Sequence, residues 1–171
     1  MGYESQGWSD IVSTHHPAFI IHPANTQMSR IKIRNPSRYI FTTSLDVRIS
    51  DINYGKHLSN DAMLRMAHEA RVQFLKDMNY EEYNVDGVGI ILTQAVICYK
   101  LEVVYPAALQ WRLAVELSSR ASVDIIYHVS CVETKREVAT LSTTATFFDY
   151  EKRKVSTIPK GFLEKVAAMI E

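Results

Sequence analysis

Read as polar and apolar positions, the chain runs strand, helix, then four strands. From Tyr39 to Ile49, Phe41, Thr43, Leu45, Val47 and Ile49 share one side, and Thr42, Ser44, Asp46 and Arg48 the other. A period of two marks a strand with one buried face. From Asp61 to Met78 the period lengthens. Met63, Ala67, Ala70, Phe74 and Met78 recur at helical spacing, and Leu64, Met66 and Leu75 widen the stripe. Such a stripe needs another layer to cover it. Gly89–Val104 is a nearly continuous apolar run, rich in β-branched residues and interrupted by Thr93, Gln94 and Lys100. It predicts a long, bent, central strand that Pro106 closes. Leu109–Leu117 and Val123–Cys131 alternate again, and Glu137–Tyr150 follows a turn at Glu133–Arg136. Short links between these three segments predict an antiparallel meander.

These elements set the fold class and the domain organisation. One amphipathic helix and an antiparallel sheet make an α+β protein, and a curved sheet of about five strands wrapped around one long central helix buries that helix most economically. A ferredoxin-like sandwich needs a second central helix, which the pattern lacks. Residues 1–37 hold three of the five prolines and keep neither period, so they are expected to form an extension outside the core. The core spans 38–158. Pro159 opens a short terminal helix over 159–171, with Phe162, Val166 and Met169 at apolar spacing.

Composition narrows the function classes. Lys plus Arg equals Asp plus Glu, at 19 each, so the formal net charge is zero. Nothing here attracts nucleic acid broadly. No apolar run reaches the length of a membrane span, and the N-terminus lacks the basic-then-apolar order of a secretory signal. A cytoplasmic protein is the expectation. Cys98 and Cys131 fall inside strands and read as buried thiols. His15, His16 and His22 have no nearby cysteine or well-spaced carboxylate to complete a metal set, so surface histidines are expected. Neither metal nor redox cofactor is implied. No nucleotide-binding glycine pattern and no nucleophile elbow is present.

The chemistry concentrates in one stretch, Asp51–Asn60, between the first strand and the helix. It packs Asp51, Asn53, His57, Ser59 and Asn60 around Gly55. Asn60 and Asp61 suit a helix start, because a short polar side chain can bond the open N–H groups of the first turn. Polar groups at a helix N-terminus can hold a developing negative charge.

Asp51-Ile-Asn-Tyr-Gly-Lys-His57-Leu-Ser-Asn60, followed by Glu69-Ala70-Arg71, resembles the motif that opens the central helix of hot-dog-fold acyl-CoA thioesterases, including the 4-hydroxybenzoyl-CoA thioesterase-like branch. The family pattern is D-x-D-x-x-x-H-V-N-N, then an acidic residue and Ala-Arg on the helix. Here Asn53 stands where several branches carry a catalytic carboxylate, and Ser59 replaces the first Asn of the pair. The resemblance implies a hot-dog domain for the core. It also implies a homodimer or dimer of dimers with sites at the subunit interface, and an acyl-CoA or acyl carrier protein thioester as substrate.

It further implies catalytic roles for Glu69, Asn53 and His57. Glu69 would be the base or the attacking carboxylate; counted around the helix it lies near Arg65, Gln73 and Lys76, and its other reading is a solvated partner of Arg65. Asn53 can donate to an oxyanion or orient water but cannot act as a base; otherwise it satisfies turn backbone. His57 suits proton transfer or else bonds the loop. Asp51, Gly55, Ser59, Asn60, Thr93 and Gln94 are the candidate substrate-binding residues, with bracing, capping and strand packing as the alternatives. Lys135, Arg136 and Lys152–Lys154 could meet phosphates or simply form exposed basic turns. Thioester hydrolysis is the leading reading. A non-catalytic acyl-thioester-binding protein on the same fold is the alternative, and a dehydratase ranks last because no H-F-P-type motif is present.

Overall fold

The computed structural model describes residues 31–170; the histidine and proline expectations before Ile31 lie outside them. Strand β1 spans Phe41–Asp46, helix α1 Asn60–Asp77, β2 Gly89–Tyr99, β3 Ala108–Leu117, β4 Ser122–Cys131, β5 Glu137–Asp149, β6 Lys154–Val155 and helix α2 Lys160–Ile170. All pairings are antiparallel, and the sheet order is β1-β3-β4-β5-β2, with β6 added to β5. The meander is β3-β4-β5. The two-residue β6 takes the sheet to six strands, one more than the pattern predicts, and draws Lys154 out of the basic turn into pairing with Asp149.

The sheet encloses α1 on one side. Ala62, Ala67, Ala70 and Phe74 are fully buried, and they meet Leu109, Trp111, Leu113, Tyr127, Leu141, Ala145 and Phe147 in one core. The alanines let the sheet approach the helix closely, and Phe74 packs on Phe41 of β1 with ring centroids 5.7 Å apart. Asn79, at φ 57°, follows the end of α1 in the left-handed conformation that commonly terminates helices. Lys165 of α2 donates to the carbonyl of Met78, 2.6 Å away, where the negative end of α1 favours a cation. Phe162 of α2 stacks edge-on against Phe147 at 5.2 Å, so α2 closes the end of the core. Arg71 is buried on α1 and paired with Glu82 at 2.7 Å, which His68 also reaches at 2.8 Å. This pair ties the connection after α1 back onto the helix.

The long apolar run departs from its expectation in two ways. Strand β2 stops at Tyr99 rather than continuing to Val104. Leu101 and Val103 are apolar because they pack on the core from a loop, whose Val103 carbonyl accepts from Leu58 N at 2.7 Å. β2 is also an edge strand, with β5 as its strand neighbour. Its outer side leaves Leu92 40% exposed, and an open apolar edge is a template for another strand. The first strand is likewise shorter than predicted, because Ile49–Asp51 forms a single 3-10 turn that leaves Ile49 exposed.

On the sheet surface facing away from α1, Arg112 donates to Nδ1 of His128 at 3.2 Å and lies 4.5 Å from the centre of the Tyr39 ring. Burial, then the Arg112 charge, hold His128 below the ordinary histidine value of 6.5, against an opposing pull from Glu137. The unfolded chain therefore takes up the proton first as pH falls. The His128 contribution to stability is complete above the unfolded value and is lost as pH drops below it through the folded one. Denaturant midpoints between about pH 7 and 5 are expected to fall less steeply in His128→Gln than in the parent. Equal slopes would remove His128 from the acid sensitivity.

Candidate functional site

The turn before α1 is built on its own hydrogen bonds. Asn53 N donates to the His57 carbonyl at 2.9 Å, and Lys56 N, from a residue at φ 63°, donates to the Asn53 carbonyl at 2.9 Å. Gly55 N donates to Asn53 Oδ1 at 2.8 Å. That bond orients the amide and turns Nδ2 toward Nδ1 of His57, 3.4 Å away. His57 Nδ1 also lies 3.2 Å from the Leu58 carbonyl. The two contacts ask opposite states of Nδ1. Nε2 overlies Gly55: a Cβ there would stand 2.8 Å from Nε2 and 3.1 Å from Asn53 Oδ1. A larger residue here would push the imidazole and the amide, both movable side-chain ends, off its backbone.

Asp51 braces this turn. Its Oδ2 accepts from Arg48 N at 2.9 Å, its carbonyl accepts from Ser59 N at 2.9 Å, and its Oδ1 lies 3.4 Å from Arg65. Ser59, not Asn60, is the N-cap; its hydroxyl accepts from Ala62 N at 3.3 Å. Asn60 is the first helical residue, and its carbonyl accepts from the Tyr99 hydroxyl at 2.9 Å. Burial, with the Asp61 charge behind it, raises the Tyr99 phenol above its usual value.

Two clefts flank the helix. The first, of about 380 Å³, is lined by Asn53, His57, Asn60, Lys100 and Glu102 on its polar side and by Leu58, Met63, Leu101 and Val103 on its apolar side, with Tyr99 at the strand end. Its size suits a small ligand. The second, of about 410 Å³, is lined by Asp46, Arg48, Asp51, Arg65, Glu69 and Gln73 with Ser44, Leu45 and Met66. Glu69 therefore does not share a cleft with Asn53 and His57 within one chain. Nine residues of helix separate Asn60 from Glu69, roughly 13 Å along the axis.

Glu69 is exposed, as its helical position predicts, but it does not pair with Arg65. Arg65 turns to Asp61, one turn earlier, and to Asp51. Glu69 instead accepts from Gln73 Nε2 at 2.8 Å. Thr93 and Gln94 lie away from both clefts. A bulge between Leu92 and Gln94 puts Thr93 Oγ1 3.1 Å from Thr146 Oγ1, on the sheet surface opposite α1, and Gln94 stands opposite Thr144 on the same strand. In the basic turn, Lys152 pairs with Asp149 at 2.8 Å. The sequence reading missed Tyr99 and Lys100 because no local pattern shows that the end of β2 returns to the helix start. Gln73 was accessible, being one helical turn from Glu69. Among the described residues no group of three His, Cys, Asp or Glu side chains is arranged to hold a metal ion, and no helix is long and apolar enough to cross a membrane.

A curved antiparallel sheet around one helix, with a polar turn at the helix start, defines a hot-dog fold. Solved structures of that fold superpose on the chain. A 1,4-dihydroxy-2-naphthoyl-CoA thioesterase from Synechocystis is 19% identical, with a TM-score of 0.70 over 77% of this chain and 98% of its own. A DHNA-CoA thioesterase from Staphylococcus aureus is 15% identical, with a TM-score of 0.66 over 75% of this chain and 89% of its own. A thioesterase superfamily protein from Jannaschia is 16% identical, with a TM-score of 0.69 over 78% and 85%. At these identities the likeness is one of fold. No curated protein matches. The family model of the thioesterase-like superfamily matches residues 47–166. The chain belongs to the thioesterase-like superfamily.

The Gly55 contact generates a test. Gly55→Ala is expected to displace the His57 ring and shift its NMR resonances, while the unfolding midpoint moves by less than about 3 °C, since the loop is exposed. Unchanged His57 resonances would show that the ring does not rest on Gly55.

Proposed function

We propose that the protein hydrolyses an acyl-CoA or acyl carrier protein thioester to the free acid and the thiol. The observation that carries the reading is the first cleft: a donor amide and an imidazole face an apolar wall at the start of the central helix, where the family motif sits. The Asn53 amide has two Nδ2 hydrogens, and the His57 contact takes at most one. The other is available to the oxygen on which charge builds as the thioester carbonyl is attacked. Leu58, Met63, Leu101 and Val103 give the acyl group an apolar lining, and Lys100 and Glu102 add one cation and one anion to it. Aromatic acyl groups, of the kind named for the Synechocystis neighbour, are candidates.

Glu69 supplies the base in this reading, from a second copy of the chain. Within one chain it lines the second cleft, whereas Asn53 lines the first. The open β2 edge, with exposed Leu92 and Ala95, supports a homodimer, as such or as half of a dimer of dimers. A cytoplasmic location belongs to the same proposal. The alternative is a non-catalytic acyl-thioester-binding protein. It is favoured by the same separation of Glu69 from Asn53, and it would bind acyl-CoA without releasing thiol.

Thiol release from short, long and aromatic acyl-CoAs tests the reading. Glu69→Gln is expected to lower kcat by roughly 10²–10⁴-fold and Asn53→Ala by roughly 10–10³-fold. Mixing the two variants should restore activity, because half of the dimers then carry one intact site, up to about a quarter of the parent rate for a two-fold dimer. Binding without thiol release in the parent would favour the alternative. No recovery on mixing would mean that the two groups do not act across a dimer.

A further inference from the structure

The second cleft contains a chain of side chains that the motif does not account for. Gln73 stands one helical turn after Glu69, between it and the inner face of β1. Its Nε2 donates to Glu69 Oε1 at 2.8 Å, and its Oε1 receives the hydroxyl of Thr43 at 2.5 Å. The direction of this chain is fixed by chemistry. An amide oxygen can only accept, so the Thr43 hydroxyl must donate to it. A carboxylate can only accept, so the amide nitrogen faces Glu69; flipping the amide would set its oxygen against the carboxylate and break that bond. Thr43 is itself held in the β1–β3 ladder opposite Trp111, which is fully buried. The sheet thus sets the rotamer of a carboxylate on the helix.

Arg65 makes the arrangement more selective. It is the cation one turn before Glu69, but Asp61 and Asp51 engage it. Glu69 is oriented by a neutral amide, and its charge is not cancelled by a guanidinium. Among the described residues the amide bond uses one carboxylate oxygen, which leaves the other for a water in the cleft. A surface Gln–Glu pair alone supports a helix only weakly and would not need an anchor in the sheet.

We infer that Gln73 and Thr43 are positioning residues, a relay that holds the Glu69 carboxylate in its working rotamer. The inference rests on the reading of Glu69 as the reaction's carboxylate. Gln73→Met and Thr43→Val are expected to lower kcat by roughly 10–10²-fold, the cost of a misplaced group, with KM within about threefold of the parent. Thr43→Ser keeps the hydroxyl and should retain activity, which separates the donor from the packing of the strand. Gln73→Glu sets a carboxylate against Glu69, and like charges favour protonation, so the acid limb of the pH–rate profile should move upward. Unfolding midpoints of all four variants identify any that fail to fold, and Thr43→Val, with a strand-favouring side chain, is the one that carries the test. Full kcat in Thr43→Val, or an unmoved acid limb in Gln73→Glu, with Glu69→Gln inactive, overturns the relay and leaves the reading of Glu69 intact. Full activity in Glu69→Gln overturns both.

Discussion

The central helix can be buried on one side only, and the rest of the molecule follows from that. Ala62, Ala67, Ala70 and Phe74 form a stripe with no solvent exposure, and covering Phe74 alone contributes about 2–3 kcal/mol. A flat sheet would touch such a stripe along a line. A curved sheet touches it across its width, and the three alanines permit close approach. Apart from the buried Arg71, which pairs with Glu82, the polar residues of the helix lie outside its enclosed face, toward its two rims. One rim ends at the turn that carries Asn53 and His57, and the other carries Glu69 and Gln73. Two clefts, rather than one, result from a helix that is half enclosed.

Much of this is legible in the sequence, because burial writes itself as periodicity. The alternation in β1, β3 and β4, the helical stripe and the short links of the meander all reflect one buried face per element. The apolar run after Gly89 shows where that logic stops. Leu101 and Val103 are apolar for the same reason as β2, since they pack on the core, but their backbone belongs to a loop bonded to Leu58. Hydrophobicity records burial, not the hydrogen-bond partner. Nor does it record an edge. A strand that reads as central for its apolar content lies at an edge of the sheet, with Leu92 exposed.

The residues of the motif were legible in the sequence, but not how the fold groups them. The motif identifies Asp51, Asn53, His57, Ser59 and Glu69, and the structure shows how local most of their work is. Asp51 braces, Ser59 caps, and Asn53 closes the turn while keeping an amide hydrogen for other use. Arg65 pairs with Asp61, one turn earlier, and also reaches Asp51, 14 residues earlier in sequence. No helical-wheel argument contains that residue. Thr93 interrupts an apolar strand because it occupies a bulge and bonds Thr146 on the far surface. Gly55 belongs to the same local turn as Asn53, where His57, two residues on, lies over its backbone.

The account stands on the claim that one reacting carbonyl is served by the first cleft of one chain and by Glu69 of another. A crystal structure with a non-hydrolysable acyl-CoA analogue reads this directly. The account predicts the carbonyl oxygen within hydrogen-bond distance of the Asn53 amide, about 3 Å. It predicts Glu69 of the second copy within reach of a water beside the carbonyl carbon. An analogue whose carbonyl lies in the second cleft, or a monomer with Glu69 remote from any bound thioester, would contradict it.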